Sequence, residues 1–225
     1  QEVEQMNLFK DMVCYQEEVR DPSRMAEVLN RVIEKAFRGS APAQINVPRD
    51  YWTQVIDIEL PPIVRFERQG GGKDAIERAS NLLSKAKFPV ILSGAGVVIG
   101  GAIEECKKLA EKLDAPVCNG YQHNDSFPGS HPLAVGPLGY NGSKAAMELI
   151  SKADVVLALG TRLNPFSTLP GYGIDYWPKN ATIIQVDMNP DRIGLTKKVT
   201  VGICGDAKQV AQQILDKLSS DAGNL

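Results

Sequence analysis

The sequence predicts an α/β fold: a doubly wound, mainly parallel sheet with helices on both faces, preceded by the partial end of a second α/β domain. Three observations predict it. Val90, Ile91 and Leu92 form a short apolar run behind Pro89, the pattern of a strand buried on both faces. Gly94, Gly96, Gly100 and Gly101 crowd the segment that follows, and Ala102–Leu113 then carries Ile103, Cys106, Leu109, Ala110 and Leu113 on one helical stripe. From residue 89 onward the pattern runs β-α-β-α-β-β-β-α.

In chain order, residues 1–20 are polar, with Met6, Phe9, Met12 and Val13 spaced as a short helical stripe. Asp21-Pro22-Ser23 marks a helix start, with Asp21 as cap and Pro22 in the first turn. That helix runs to Arg38 with Met25, Val28, Leu29, Val32, Ile33 and Ala36 inward, and Gly39 stops it. Ala43–Val47 reads as a strand ended by Pro48. Trp52–Gly72 is a connector containing Pro61-Pro62 and three successive glycines. A helix over Asp74–Ala86 leads into the strand at Val90.

Ala115–Cys118 is a second short strand, and Asn119–Gly142 reads as one long loop. Ser143 caps a helix reaching Ser151. Ala153–Leu159 is a third strand, followed by an irregular loop over Asn164–Lys179. Thr182–Asp187 and Val199–Cys204 are the last strands, and Ala207–Leu218 is the last helix. The domain boundaries read as 1–60, a linker at 61–72, a Rossmann-like domain at 73–219 and a tail at 220–225.

Composition narrows the function. A chain of 225 residues that is 43% hydrophobic and 23% charged buries a real core. A net charge of −2 without a basic run argues against nucleic acid and anionic membrane as partners. No apolar run approaches the ~20 residues a bilayer requires, and no secretory signal opens the chain. Cys14, Cys106, Cys118 and Cys204 lie far apart, which suits reduced thiols in the cytoplasm. With only His123 and His131 to join them, no metal site is expected. Gln1 stands where a methionine would, with no strand or cap before it, so the chain reads as a piece of something longer.

Several residues carry candidate chemistry. Gly94 and Gly96 stand in a G-x-G-x-x-x-G pattern, either to admit a nucleotide phosphate at a helix N-terminus or to let strand and helix pack tightly. Asp187 ends a strand, where an acid either holds a ribose hydroxyl or caps the turn Met188-Asn189-Pro190. Asp206 is better read as a helix cap than as a ligand contact. Arg162 either pairs with a pyrophosphate or forms a surface salt bridge. The loop histidines His123 and His131 read as loop-fixing hydrogen-bond groups ahead of catalytic ones.

Taken together, HPLAVGPLGYNG (131–142), ADVVLALGTR (153–162), IIQVDMNPDRIG (183–194) and a Gly-Asp before the last helix resemble the central domain of thiamine-diphosphate-dependent enzymes of the acetolactate synthase group. Residues 1–50 resemble the end of the preceding pyrimidine-binding domain. Within the group, DMVCYQEEVRDP (11–22), PAQINVPRDYWTQVIDIELP (42–61), GYQHNDSFPGSHPL (120–133) and NPFSTLPGYGIDYWP (164–178) are most similar to the sulfoacetaldehyde acetyltransferase branch.

That resemblance implies a transferase that turns sulfoacetaldehyde and phosphate into acetyl phosphate and sulfite, as a homodimer or homotetramer. It implies thiamine diphosphate and Mg²⁺ bound outside this chain, and FAD or ADP in the central domain at Gly94, Ala95, Gly96, Gly160, Thr161, Arg162, Asp187 and Asp206. Gln1 matches a glutamine that faces the thiamine site in that family, against the alternative of an exposed terminal residue. Val13-Cys14-Tyr15 replaces a lysine–histidine pair of the acetolactate synthases, and Asn141 replaces a histidine of their flavin segment. Both argue against an acetolactate synthase with FAD, the second reading. A non-catalytic nucleotide-binding module is the third.

Overall fold

The computed structural model describes residues 3–62 and 67–221. Gln1, the middle of the expected linker (63–66) and the end of the expected tail (222–225) lie outside the described residues. The chain divides into two compact units, residues 1–66 and 67–225.

The first unit is a β-α-β element. A short helix α1 (Gln5–Phe9) precedes strand β1 (Tyr15–Glu18), helix α2 (Met25–Gly39) and strand β2 (Ala43–Asn46). β1 and β2 run parallel with Tyr15 opposite Ala43 and Glu18 opposite Asn46, the pairing that needs a crossover such as α2. Asp21 caps as expected, accepting from the Ser23 amide at 2.9 Å, but Pro22–Arg24 forms a 3₁₀ turn and the α-helix proper begins at Met25. At the other end Ser40, not Gly39, takes the left-handed conformation (φ 46°) and its N–H closes on Ala36 and Phe37.

Val19, Val28 and Val32 form the small core of this unit. Leu29 and Ile33, expected inward, are 42% and 45% exposed. Two strands cover only one stripe of α2, and these residues lie to its side.

β1 was not expected, because Tyr15-Gln16-Glu17-Glu18 has no apolar alternation. Polar contacts hold it instead. Arg31 of α2 donates from Nε and Nη2 to the two oxygens of Glu17, both at 2.8 Å, while Tyr15 donates to Glu17 at 2.7 Å. Arg31 also donates to Glu27 at 2.9 Å, and Arg24 donates to Glu27 at 2.8 and 3.0 Å.

The second unit is built on a six-stranded parallel sheet. Its elements are α3 (Lys73–Ser84), β3 (Pro89–Ser93), α4 (Ala95–Ile99), α5 (Ile103–Leu113), β4 (Val117–Asn119), β5 (Ala134–Pro137), α6 (Lys144–Ile150), β6 (Val155–Leu159), α7 (Pro165–Thr168), β7 (Thr182–Asp187), β8 (Val201–Cys204) and α8 (Ala207–Asp221). Strand order is β5-β4-β3-β6-β7-β8 with every pairing parallel, the doubly wound order predicted in kind.

Side chains alternate across the sheet. Ile91, Leu157, Leu159, Ile184 and Val186 face α3, α5 and α8 in one large cluster. Val90, Leu92, Val156, Ala158 and Ile183 face a second cluster containing Ala146, Met147 and Ile150 of α6 and the buried ring of Tyr176. Helices thus cover one face, while α6 and the irregular segment after β6 cover the other. Among the described residues no helix is long and apolar enough to cross a membrane.

Two elements depart from expectation. The stretch 119–142 is not wholly loop, since β5 forms an edge strand within it. Gly136 and Pro137 disguise it, and such residues in strands belong at edges and irregularities. The glycine segment after β3 winds into the single turn α4 before α5 begins.

The Arg31 network yields a pH prediction. Hydrogen bonds from Arg24 and Arg31 hold the Glu27 carboxyl down at about 2, and those from Arg31 hold Glu17 below its ordinary 4.5. Carboxyls depressed in the folded state lend stability above their unfolded value and lose it as pH falls through the folded value. The thermal midpoint of this unit is therefore expected to fall between pH 5 and pH 2, and Arg31→Met to make that fall shallower in calorimetry at each pH. An identical slope in the variant contradicts the assignment.

Candidate functional site

In an all-parallel sheet every strand ends on one edge, and here the order reverses between β3 and β6. Chains leaving those two strands turn in opposite directions, and the space between such chains is the usual place for a ligand in sheets of this kind. Gly94, Ala95 and Gly96 follow β3, Gly160, Thr161 and Arg162 follow β6, and Asp187 ends β7. The structure thus gathers seven of the eight predicted cofactor residues at the ends of three adjacent strands. Asp206 follows β8, one strand further out.

The glycines bring two loops into contact. Gly94 N–H donates to Leu159 O at 3.1 Å, Gly96 N–H to Gly160 O at 2.8 Å, and Gly160 N–H to Val186 O at 3.0 Å. A Cβ on Gly96 would stand 2.7 Å from the Gly160 Cα, and one on Gly94 2.6 Å from the Gly160 carbonyl. Gly160 itself has φ 61°, where a side chain is strained. Tight packing, one of the two readings of these glycines, is therefore present. The second and third amides of α4 are also occupied, Gly96 by Gly160 O at 2.8 Å and Val97 by Gly94 O at 3.0 Å.

The polar residues differ in what they leave available. Thr161 is nearly buried and its hydroxyl accepts from the Leu163 amide at 3.2 Å. Arg162 is exposed and has no partner among the described residues. Asp187, 7% exposed, accepts from the Asn189 amide at 2.8 Å and so caps its turn. Its other oxygen accepts nothing among the described residues. Asp206 is enclosed: one oxygen accepts from the Lys208 and Gln209 amides at 3.1 and 3.2 Å, capping α8, and the other lies 3.3 Å from Arg68. Arg68 also donates to Gly100 O.

Of the two histidines, His131 fixes its loop by hydrogen bonds. His131 Nδ1 accepts from the Leu133 amide at 3.2 Å, its Nε2 lies 3.2 Å from Glu111, and its ring meets Phe127 edge-on. His123 Nδ1 is 3.9 Å from Asp125. The cysteines are free, with burial pushing the thiols of Cys106 and Cys118 up to about 12. No group of three or more His, Cys, Asp or Glu able to hold a metal occurs among the described residues.

Sequence reasoning missed two features of this edge. Gln185, inside β7, reaches backbone groups of two loops. Tyr121, Tyr140 and Phe166 form an aromatic cluster, with Tyr121 stacked on Phe166 at 5.8 Å and Tyr140 edge-on at 6.3 Å. Tyr121 and Tyr140 lie in two loops and Phe166 in the short helix α7, so no spacing announces them.

Residues 76–214 match the family model of the thiamine pyrophosphate enzyme central domain. The chain belongs to the thiamine pyrophosphate enzymes. Across its whole length it is 81% identical to a probable sulfoacetaldehyde acetyltransferase of Rhizobium meliloti and 78% identical to a sulfoacetaldehyde acetyltransferase of Roseovarius nubinhibens. It spans 38% and 37% of those relatives. A benzoylformate decarboxylase from Polynucleobacter necessarius shares the fold, with a TM-score of 0.80 over 95% of this chain and 40% of that one at 23% identity.

For a thiamine pyrophosphate enzyme central domain the Gly96–Gly160 contact makes a prediction whose sign is diagnostic. Gly96 lies in α4, where propensity alone favours alanine by up to ~1 kcal/mol. The contact with Gly160 reverses this, so Gly96→Ala is expected to destabilise by about 1–3 kcal/mol in urea unfolding. A stabilised variant contradicts the packing described.

Proposed function

We propose that this chain is the central domain, with the end of the pyrimidine-binding domain, of an enzyme that converts sulfoacetaldehyde and phosphate to acetyl phosphate and sulfite. The supporting observation is full-length similarity, at 81% and 78% identity, to proteins bearing the sulfoacetaldehyde acetyltransferase name. Thiamine diphosphate would supply the electron sink for that chemistry. The reading places the site for thiamine diphosphate and its Mg²⁺ outside this chain, as the family resemblance implies. The proposal extends to a cytoplasmic homodimer or homotetramer, which suits four free thiols.

What this chain's own residues contribute is a nucleotide diphosphate site at the crevice between β3 and β6. Arg162, exposed and without a partner among the described residues, is suited to the diphosphate. The second oxygen of Asp187 is suited to a ribose hydroxyl. The committed amides of α4 and the enclosed Asp206 place less of the load on the glycine turn and the last strand than the family resemblance implies. Asn141, where the flavin-binding relatives carry histidine, favours ADP over FAD.

Two measurements test this. The complete enzyme is expected to release sulfite and acetyl phosphate from sulfoacetaldehyde only with thiamine diphosphate and Mg²⁺; acetolactate made from pyruvate instead overturns the assignment. In calorimetric titration with ADP, Arg162→Ala is expected to weaken binding at least about tenfold, the loss of a charge-assisted hydrogen bond. Equal affinity removes Arg162 from the site, and a yellow preparation with flavin absorbance moves it to FAD.

A further inference from the structure

Gln185 is the one polar side chain of β7 that points into the sheet's second apolar layer short of the strand end. It is 1% exposed, and Ile183, its neighbour on the same face, is apolar. A buried amide costs free energy unless its groups are paired, so a leucine would serve the core better. The amide is justified only by what it holds.

It holds three backbone groups. Nε2 donates to Thr161 O at 3.1 Å and to Arg192 O at 3.2 Å, and Oε1 accepts from Gly194 N–H at 2.9 Å. This fixes the amide orientation, because the flipped form would aim its oxygen at two carbonyls. Both partner segments leave the same edge of the sheet, one after β6 and one after β7. A second tie runs alongside, since the Thr196 hydroxyl donates to Leu163 O. Arg162 therefore sits between two pinned carbonyls, Thr161 O and Leu163 O. Leu163 is itself held at φ 53°, a conformation that a bulky residue keeps only when its surroundings impose it.

We propose that Gln185 is a positioning residue: with Thr196 it locks the Thr161–Leu163 turn to the 188–196 loop and presents Arg162, preset, to an anionic ligand. The ligand part rests on the nucleotide reading above; the locking part stands on geometry alone. Holding the backbone on either side of Arg162 leaves less conformational freedom to lose on binding, which favours affinity without a new contact.

Two readouts test the two parts separately in the full-length enzyme. In amide hydrogen exchange, Gln185→Leu, which removes all three hydrogen bonds, is expected to speed exchange in 161–164 and 192–196 together by about tenfold or more, while β3 and β6 stay protected. Unchanged exchange, or equal acceleration across the whole sheet, overturns the lock. If Gln185→Leu does not fold, Thr196→Val cuts the second tie from the exposed side and is expected to speed exchange in 161–164 with 192–196. No change there is equally adverse.

The second readout is ADP affinity in a double-mutant cycle. Gln185→Leu and Arg162→Ala are each expected to weaken ADP about tenfold, and the pair to be no weaker than Arg162→Ala alone. A purely structural glutamine would lower stability and leave ADP affinity unmoved, and additive losses would mean it does not act through Arg162. Failure of the wild type to bind ADP refutes the nucleotide reading, and exchange then decides the lock by itself.

Discussion

Close approach of two backbones organises the edge of this sheet. The chain leaving β3 and the chain leaving β6 meet at Gly96 and Gly160, where one hydrogen bond of 2.8 Å joins them and a single added methyl group would collide with backbone. The two strands are the centre of a reversed strand order, so each loop would otherwise diverge from the other. The contact closes the floor of the crevice and fixes where Thr161, Arg162 and Asp187 begin. Because its members are backbone atoms, it defines a location without supplying specificity. Specificity is left to the side chains around it.

Those side chains fall into two kinds. Asp206, Gln185 and His131 are committed to holding backbone, Asp206 by capping α8, His131 by bonding the Leu133 amide nearby and Gln185 by reaching carbonyls in two loops. Arg162 and one oxygen of Asp187 have no partner among the described residues. In a thiamine pyrophosphate enzyme, a central domain built this way is a support that gathers several loops at one edge of its sheet. Its four inner strands, β4, β3, β6 and β7, buried on both faces, supply the rigidity, and the loops at the strand ends supply whatever is recognised.

How much of this the sequence shows depends on whether the stabilising contact is local. β3 and β6 are short apolar runs and β7 is apolar but for Gln185 and its two ends, so the sheet and its doubly wound character are plain. β1 is hidden because its stability comes from Arg31, which lies 14 residues beyond the Glu17 it grips. β5 is hidden because Gly136 and Pro137 speak for a loop until β4 pairs with them. Leu29 and Ile33 share the helical stripe of Val28 and Val32, and periodicity alone cannot tell which part of a broad stripe two short strands will cover. At the site, the glycines and the terminal acid are legible as a pattern. Arg68, 138 residues from Asp206, is not. Gln185 is visible as a letter in a strand, but its role is set by carbonyls in two loops that only the fold brings together.

The Gly96–Gly160 contact is therefore the feature to measure. Residue-resolved amide exchange in the complete enzyme reads it directly, since the Gly96 N–H exchanges only when the two loops part. If the contact closes the crevice as described, Gly96 will show protection comparable to the core amides of β3 and β6, opening only with the sheet. Exchange of the Gly96 amide at the rate of an exposed loop, with β3 and β6 still protected, would show that the loops do not meet and that the crevice has no fixed floor.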